Sequence, residues 1–202
     1  MTINTQTDSH EFDRIISTTS PGLLAKLTPN LPEDYLSQLK KLKSMGAVVL
    51  ILSLKHALTN KHYWINLPKA DGFPFLILAE HTNFINPKHY GGDHIVYCGD
   101  YLEADHPYFE MTKEELYAKF LPFLSKFNSD FNESWLKDSW LFKELYAQPV
   151  PFVNHSQNIP PLKTPMEGLF WASMSHVYPW DRGTNYAVEI GRRVAREAVN
   201  EI

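Results

Sequence analysis

The sequence predicts an α+β fold: an antiparallel sheet with flanking helices, followed by a strand-loop-helix unit of α/β type. Three observations predict it. Between Met45 and Asp100, four short runs rich in β-branched and aromatic residues alternate with clusters of Asn, Pro, Gly and Lys. Thr112-Lys-Glu-Glu115 is a capping box ahead of Leu116, Phe120, Leu124 and Phe127. Gly168 to Met174 reads as a buried strand, Ser175 to Gly183 as a loop and Thr184 to Val199 as a helix, the common ligand-binding unit of α/β proteins.

Taken in chain order, Phe12 to Thr18 reads as a buried strand around Ile15 and Ile16. Ser20 followed by Pro21 is a helix start, so Gly22 to Leu27 is predicted helical. A second start at Pro32 precedes Tyr35, Leu36, Leu39 and Leu42 at helical spacing, ending near Lys43. Met45 to Leu54, His62 to Leu67, Phe75 to Glu80 and His94 to Asp100 are the strands of a meander. A long helix is expected from Lys113 to Phe127 with a kink at Pro122, then a further strand from Ser134 to Tyr146. Pro149 to Pro165 holds five prolines and is expected to be an extended loop. On the closing helix, Ala187, Val188, Gly191, Val194, Ala195 and Ala198 are the expected packing side.

Composition narrows the function classes. Of 202 residues, 44% are hydrophobic and 21% charged, and 19 Lys+Arg against 23 Asp+Glu give a net charge of -4. That is enough apolar material for a core, and it lacks the charge imbalance of a disordered chain or the basic surplus of a nucleic-acid binder. The longest apolar run, Ala47 to Leu54, is the length of a buried strand, so no membrane span is expected. Met1 to Glu11 has neither the basic nor the apolar region of a secretion signal, and Cys98 stands alone. Both point to a reduced, cytoplasmic setting.

The candidate chemistry is uneven. His81, His89 and His94 are close in sequence, but no pair has the spacing of a helical zinc site and no metal is expected. Cys98, between Tyr97 and Gly99 in an apolar strand, reads as a packing residue. Glu80-His81-Thr82-Asn83 reads as a satisfied turn or a pocket edge. The segment from Gly168 to Ala195 differs in kind: a buried strand delivers Trp180-Asp181-Arg182-Gly183 to a helix whose first residues are Thr184, Asn185 and Tyr186. Such a helix N-terminus favours an anion through its open N–H groups and its dipole.

That segment resembles the C-terminal FAD-binding part of the flavin-dependent amine oxidase, protoporphyrinogen oxidase and phytoene desaturase superfamily. The Gly-Leu-aromatic-x-Ala strand, the Asp181-Arg-Gly-Thr-Asn-Tyr-Ala187 turn and the spaced Gly191 and Ala195 carry the likeness. It extends from about Phe12 to Val199. The resemblance implies a strand and turn returning to an FAD-binding domain over 12–30, a substrate domain over 31–160 and a C-terminal FAD-binding segment over 161–202, the last being part of a Rossmann-like domain. The N-terminal G-x-G-x-x-G unit of that superfamily is absent among the nine glycines.

The resemblance therefore implies the C-terminal portion of an FAD-dependent oxidoreductase, in which hydride leaves a C–N or C–C bond for the flavin. It assigns the cofactor to Trp180, Asp181, Arg182, Gly183, Thr184, Asn185 and Tyr186, with Thr19, Ser20 and Pro21. It places His81, Asn83, Tyr146 and Gln148 toward a small-molecule substrate, and assigns no general base. The implied partner is an N-terminal FAD-binding half or a second copy. The alternative is a non-catalytic module that binds a protein or a hydrophobic small molecule through its exposed sheet.

Overall fold

The computed structural model describes residues 1–200, which fall into two compact units: Met1–Ser44 together with the chain from Pro149 onward, and Met45–Gln148. These limits differ from the 31–160 expected for the inner domain. The helix after Pro32 belongs to the outer unit because Tyr35 and Leu39 are buried with Leu24, Leu31 and Trp171.

In the outer unit, β1 (Thr2–Asn4) and β2 (Ser9–Glu11) form an antiparallel hairpin of exposed residues. β3 (Ile15–Ser17) follows, then α1 (Pro21–Leu27), capped by Ser20 Oγ accepting from Leu23 N, and α2 (Glu33–Lys41). The predicted buried strand over 12–18 is thus three residues long and only partly buried, since it has a single strand neighbour on which to pack.

The inner unit is a five-stranded sheet. Its strands are β4 (Ser44–Leu54), β5 (Trp64–Asn66), β6 (Ile77–Glu80), β7 (His94–Leu102) and, after α3 (Lys113–Phe120), β8 (Leu136–Pro149), in the order β5-β6-β7-β4-β8. β5, β6 and β7 make the expected antiparallel meander. β4 pairs on the far side of β7, with Leu50 opposite Cys98, and therefore lies away from β5. Alternation along β4 sends Val48, Leu50, Leu52 and Leu54 into the core, where they meet Leu116, Phe120 and Leu124 from the helical side. Cys98 is fully buried there, and burial pushes its thiol up. Gly46 is obligatory for close packing, because a Cβ would stand 2.9 Å from the Glu144 carbonyl oxygen.

The capping box forms as predicted: Thr112 Oγ1 accepts from Glu115 N at 3.2 Å, and Thr112 N donates to Glu115 Oε2 at 2.7 Å. The helix stops at Phe120, short of Phe127. Pro122 has no N–H for the α-helical ladder, and the chain continues as 3-10 turns over Leu121–Lys126.

The chain then returns to the outer unit, where the expected extended loop of 149–165 contains one helical turn, α4 (His155–Asn158). β9 (Leu169–Trp171) is fully buried but shorter than the predicted 168–174, because Ser173 caps a 3-10 turn over Met174–His176. α5 (Thr184–Asn200) closes the chain. Its buried residues are Ile190, Val194 and Ala198, packed with Leu162, Phe170 and Ala172. Of the expected packing side only Val194 and Ala198 are buried; Ala187, Val188, Gly191 and Ala195 face solvent. The helix carries two apolar stripes, and the described residues cover one. No described helix is long and apolar enough to cross a membrane.

Candidate functional site

β3 and β9 run parallel, with Ile15 opposite Leu169 and Ser17 opposite Trp171. Gly168 makes this pairing possible. Its φ of 76° suits glycine, and a Cβ there would stand 2.8 Å from the Asp13 carbonyl oxygen. Both strands end at the same side, which in α/β folds is where ligands bind.

One predicted segment is tied to that carboxyl end and a second is directed toward it. The turn holding Thr19, Ser20 and Pro21 is tied to β9: Trp171 Nε1 donates to the Thr19 carbonyl at 2.9 Å, and Ala172 N donates to the Ser17 carbonyl at 3.0 Å. Ser17 Oγ and Thr19 Oγ1 are 2.9 Å apart. α5 is anchored at its far end, where Arg14 Nη1 donates to the Ala198 carbonyl at 2.5 Å, a favourable place for a cation on a helix. Since Arg14 precedes β3, the N-terminus of α5 is directed toward the strands' carboxyl end, the side of the Thr19 turn.

At that N-terminus, Ala187 N donates to the Gly183 carbonyl at 2.9 Å, closing the first helical turn. The rings of Trp180 and Tyr186 lie parallel, 6° between planes and 6.1 Å between centroids, as a flat aromatic wall. A Cβ on Gly183 would come within 2.7 Å of Asn185 Oδ1, so glycine there lets the Asn185 side chain lie against the backbone at the helix start. Asp181 Oδ1 accepts from Arg182 N at 2.7 Å and lies 3.7 Å from its Nη1. Partial burial lowers the Arg182 guanidinium from its ordinary value, and it keeps its charge. A helix dipole, an arginine and a planar wall together suit a flat ring that carries or acquires negative charge.

A buried polar cluster on the loop between β9 and α5 escaped the sequence reading. His176 Nδ1 accepts from Ser173 N at 3.1 Å, and its ring meets the Trp171 ring edge-on at a centroid distance of 4.5 Å. Its Nε2 is buried near the Pro160 carbonyl without a well-formed hydrogen bond. Burial, helped by nearby Arg193 and opposed by the Ser173 and Pro160 backbone, lowers His176 from 6.5 to about 4, so the ring is neutral at neutral pH. His155 stands 5.3 Å from Tyr178. The one sequence signal for the cluster is the Ser-x-x-His spacing of Ser173 and His176, which mimics a capping box.

The four residues placed toward a substrate do not form one site. His81 and Asn83 follow β6 and sit level with the end of β4 at Leu52–Leu54, whereas Tyr146 and Gln148 lie past Glu144, which stands beside Gly46. Six residues of extended β4 separate the two levels by about 20 Å. Asn83 is engaged in its turn: its amide donates to Thr59 Oγ1 at 2.8 Å, the His62 carbonyl at 3.1 Å and Glu80 Oε2 at 3.2 Å. His81 Nε2 is 2.7 Å from the Tyr90 hydroxyl. Glu80 is the hub of this turn, fully buried and also accepting from Leu58 N and Thr59 N at 2.9 and 2.6 Å.

Comparisons with known proteins agree on one fold. The family model described as flavin containing amine oxidoreductase matches residues 1–199. A provisionally assigned protoporphyrinogen oxidase of Exiguobacterium sp. 255-15 superposes with a TM-score of 0.75 at 13% identity, over 98% of this chain and 44% of that one. A reduced UDP-galactopyranose mutase gives 0.59 at 15%, over 78% and 34%. An oxidoreductase from Methanosarcina mazei gives 0.58 at 17%, over 83% and 39%. The chain thus spans less than half the length of each. No curated protein sequence matches.

Proposed function

The chain belongs to the flavin-containing amine oxidoreductase family, and we propose that it provides the ring-facing part of an FAD site and the substrate-side sheet of an FAD-dependent oxidoreductase. FAD, when bound, would supply the redox chemistry, taking a hydride from carbon in a CH–NH or CH–CH unit that also loses a proton and becomes C=N or C=C. The observation that carries the reading is that the Thr19–Pro21 turn is tied to the carboxyl end of the β3–β9 pair while Arg14, at the other end of β3, holds the C-terminal end of α5, which turns the α5 N-terminus toward that same side.

The residues present fit the isoalloxazine end of the cofactor. The first N–H groups of α5 and the helix dipole favour the negative charge of a reduced ring, and Gly183 adds no side chain beside Asn185 at that end. Trp180 and Tyr186 provide a planar wall, and Arg182, held by Asp181, adds a positive charge. The residues present do not fit the pyrophosphate, because no glycine-rich turn is encoded among the nine glycines. We assign that part to an N-terminal FAD-binding portion covering the second apolar stripe of α5, where Val188 and Val199 are exposed. Tyr146 and Gln148, at the end of β8, are the substrate contacts we retain for the inner unit.

A visible-absorption titration with FAD tests the reading. Gly183→Leu is expected to weaken binding at least tenfold, and Glu114→Ala, on the exposed side of α3, to leave it unchanged. Equal affinities for the two variants would count against it.

A further inference from the structure

At one end of the inner sheet, where β4 and β6 finish and β7 begins, aromatic rings gather in solvent. Phe84 is 72% exposed, Trp64 49%, Tyr63 42% and Tyr90 39%. They form one patch: Tyr63 lies 5.3 Å from Phe84 and 6.3 Å from Trp64, and His81 lies 5.4 Å from Tyr90 and 5.9 Å from Tyr97. Burial raises the Tyr97 phenol, and Tyr90 and Tyr63 add to the shift. The backbone beneath is firmly held, by Glu80 and Asn83 on the 58–62 loop and by Asn86 Oδ1 capping the 3-10 turn Pro87–Tyr90.

On the loops that carry the rings, the open charge is positive. Lys55, Lys61 and Lys88 are exposed on the same loops. The carboxylates on the loops that carry the rings are engaged, since Glu80 is buried in its turn and Asp93 accepts from Ser53 and from Lys137, while Asp130 and Glu133 are exposed on the neighbouring loop before β8. Loop tips that carry Trp, Tyr and Phe beside lysines, with no open carboxylate, match the layering of a membrane surface. The rings suit the zone below the headgroups, and the ammonium groups suit the lipid phosphates. A patch of exposed rings this dense on a folded unit marks an interaction site, and its charge complements an anionic surface.

We propose that this end of the inner unit is a peripheral docking surface for an anionic lipid membrane, inserting Phe84, Tyr63, Trp64 and Tyr90 while Lys61 and Lys88 meet phosphates. The test is co-sedimentation of the full chain with vesicles of phosphatidylcholine alone or mixed with phosphatidylserine. The chain is expected to pellet with the mixed vesicles, less with the neutral ones, and less in raised salt. Tyr63→Ser with Phe84→Ser is expected to lower the partition more than tenfold, since two rings no longer leave water. Lys61→Glu with Lys88→Glu is expected to remove the preference for phosphatidylserine, at about fivefold per lysine lost.

These side chains are exposed, and circular dichroism with thermal melting confirms that each variant is folded. Phe142→Ser is the control, since Phe142 is also exposed but lies on β8, at the opposite edge of the sheet. Absence of wild-type binding to either vesicle would overturn the proposal, as would equal losses in the patch and control variants. A patch-dependent dimer in sizing, without vesicle binding, would overturn it in favour of a protein interface.

Discussion

His176 makes the stability of the outer unit depend on pH in a way that can be worked out in advance. Its folded value is about 4, against 6.5 when unfolded. At pH above 6.5 both states are neutral and the histidine adds no pH dependence. As pH falls from 6.5 to 4 the unfolded chain takes up a proton that the folded chain refuses, so stability is lost at about 1.4 kcal/mol per pH unit. Integrated over the window, the loss is about 3 kcal/mol, a large share of the 5–15 kcal/mol typical of a domain (~10 kcal/mol at the centre). The raised Asp100 carboxyl, in the other unit, works in the opposite direction, because its folded form takes up a proton more readily as pH falls. The assay is urea denaturation at intervals from pH 7 to pH 4, on the wild type and on His176→Asn. Asn keeps an acceptor for Ser173 N but does not titrate. Wild-type stability should fall more steeply with acid than the variant's by about 3 kcal/mol in total. Parallel pH curves for the two proteins would refute the argument that burial holds this ring neutral.

Other perturbations probe the scaffold. Glu80→Ala strands the Leu58 and Thr59 N–H donors in a buried turn and should cost about 3–5 kcal/mol; amide exchange at Leu58 and Thr59 should quicken with it, and a loss below about 1 kcal/mol would show the turn is held otherwise. Thr112→Ala removes one half of the capping box and should lower the urea midpoint by the equivalent of about 1 kcal/mol. Trp171→Phe removes the bond to the Thr19 carbonyl while keeping most of the packing; protease cleavage around Thr19 should rise, and unchanged cleavage would mean the turn does not depend on that bond.

The parts of the fold legible in the sequence are those decided within a few residues. Ser20-Pro21 and Thr112-Glu115 start helices through side-chain bonds to nearby N–H groups, and both are where they were expected. Alternation along Val48, Leu50, Leu52 and Leu54 identifies β4 because one face must be buried. What distant residues decide was not legible. The closing helix offers two apolar stripes, and only tertiary packing selects Ile190, Val194 and Ala198. The partnership of Trp171 with Thr19 spans 152 residues. Glu80 gathers its donors from a loop more than twenty residues away, so Asn83 read from sequence as a candidate contact is engaged in that turn. The helix-start segment from Trp180 to Tyr186 was legible because glycine and capping residues announce it locally. His176 was not, since its one signal, the Ser-x-x-His spacing of a capping box, does not tell a buried histidine from a surface one.

The central claim is that this chain holds the ring end of the flavin and not its pyrophosphate. Fluorescence-quenching titrations with FAD and with riboflavin, run side by side on the full chain, test it most directly. The account predicts affinities within about threefold of each other, both lowered by Gly183→Leu, since the ring and its helix are common to the two ligands. FAD binding tenfold or more tighter than riboflavin, or binding of neither, would contradict it.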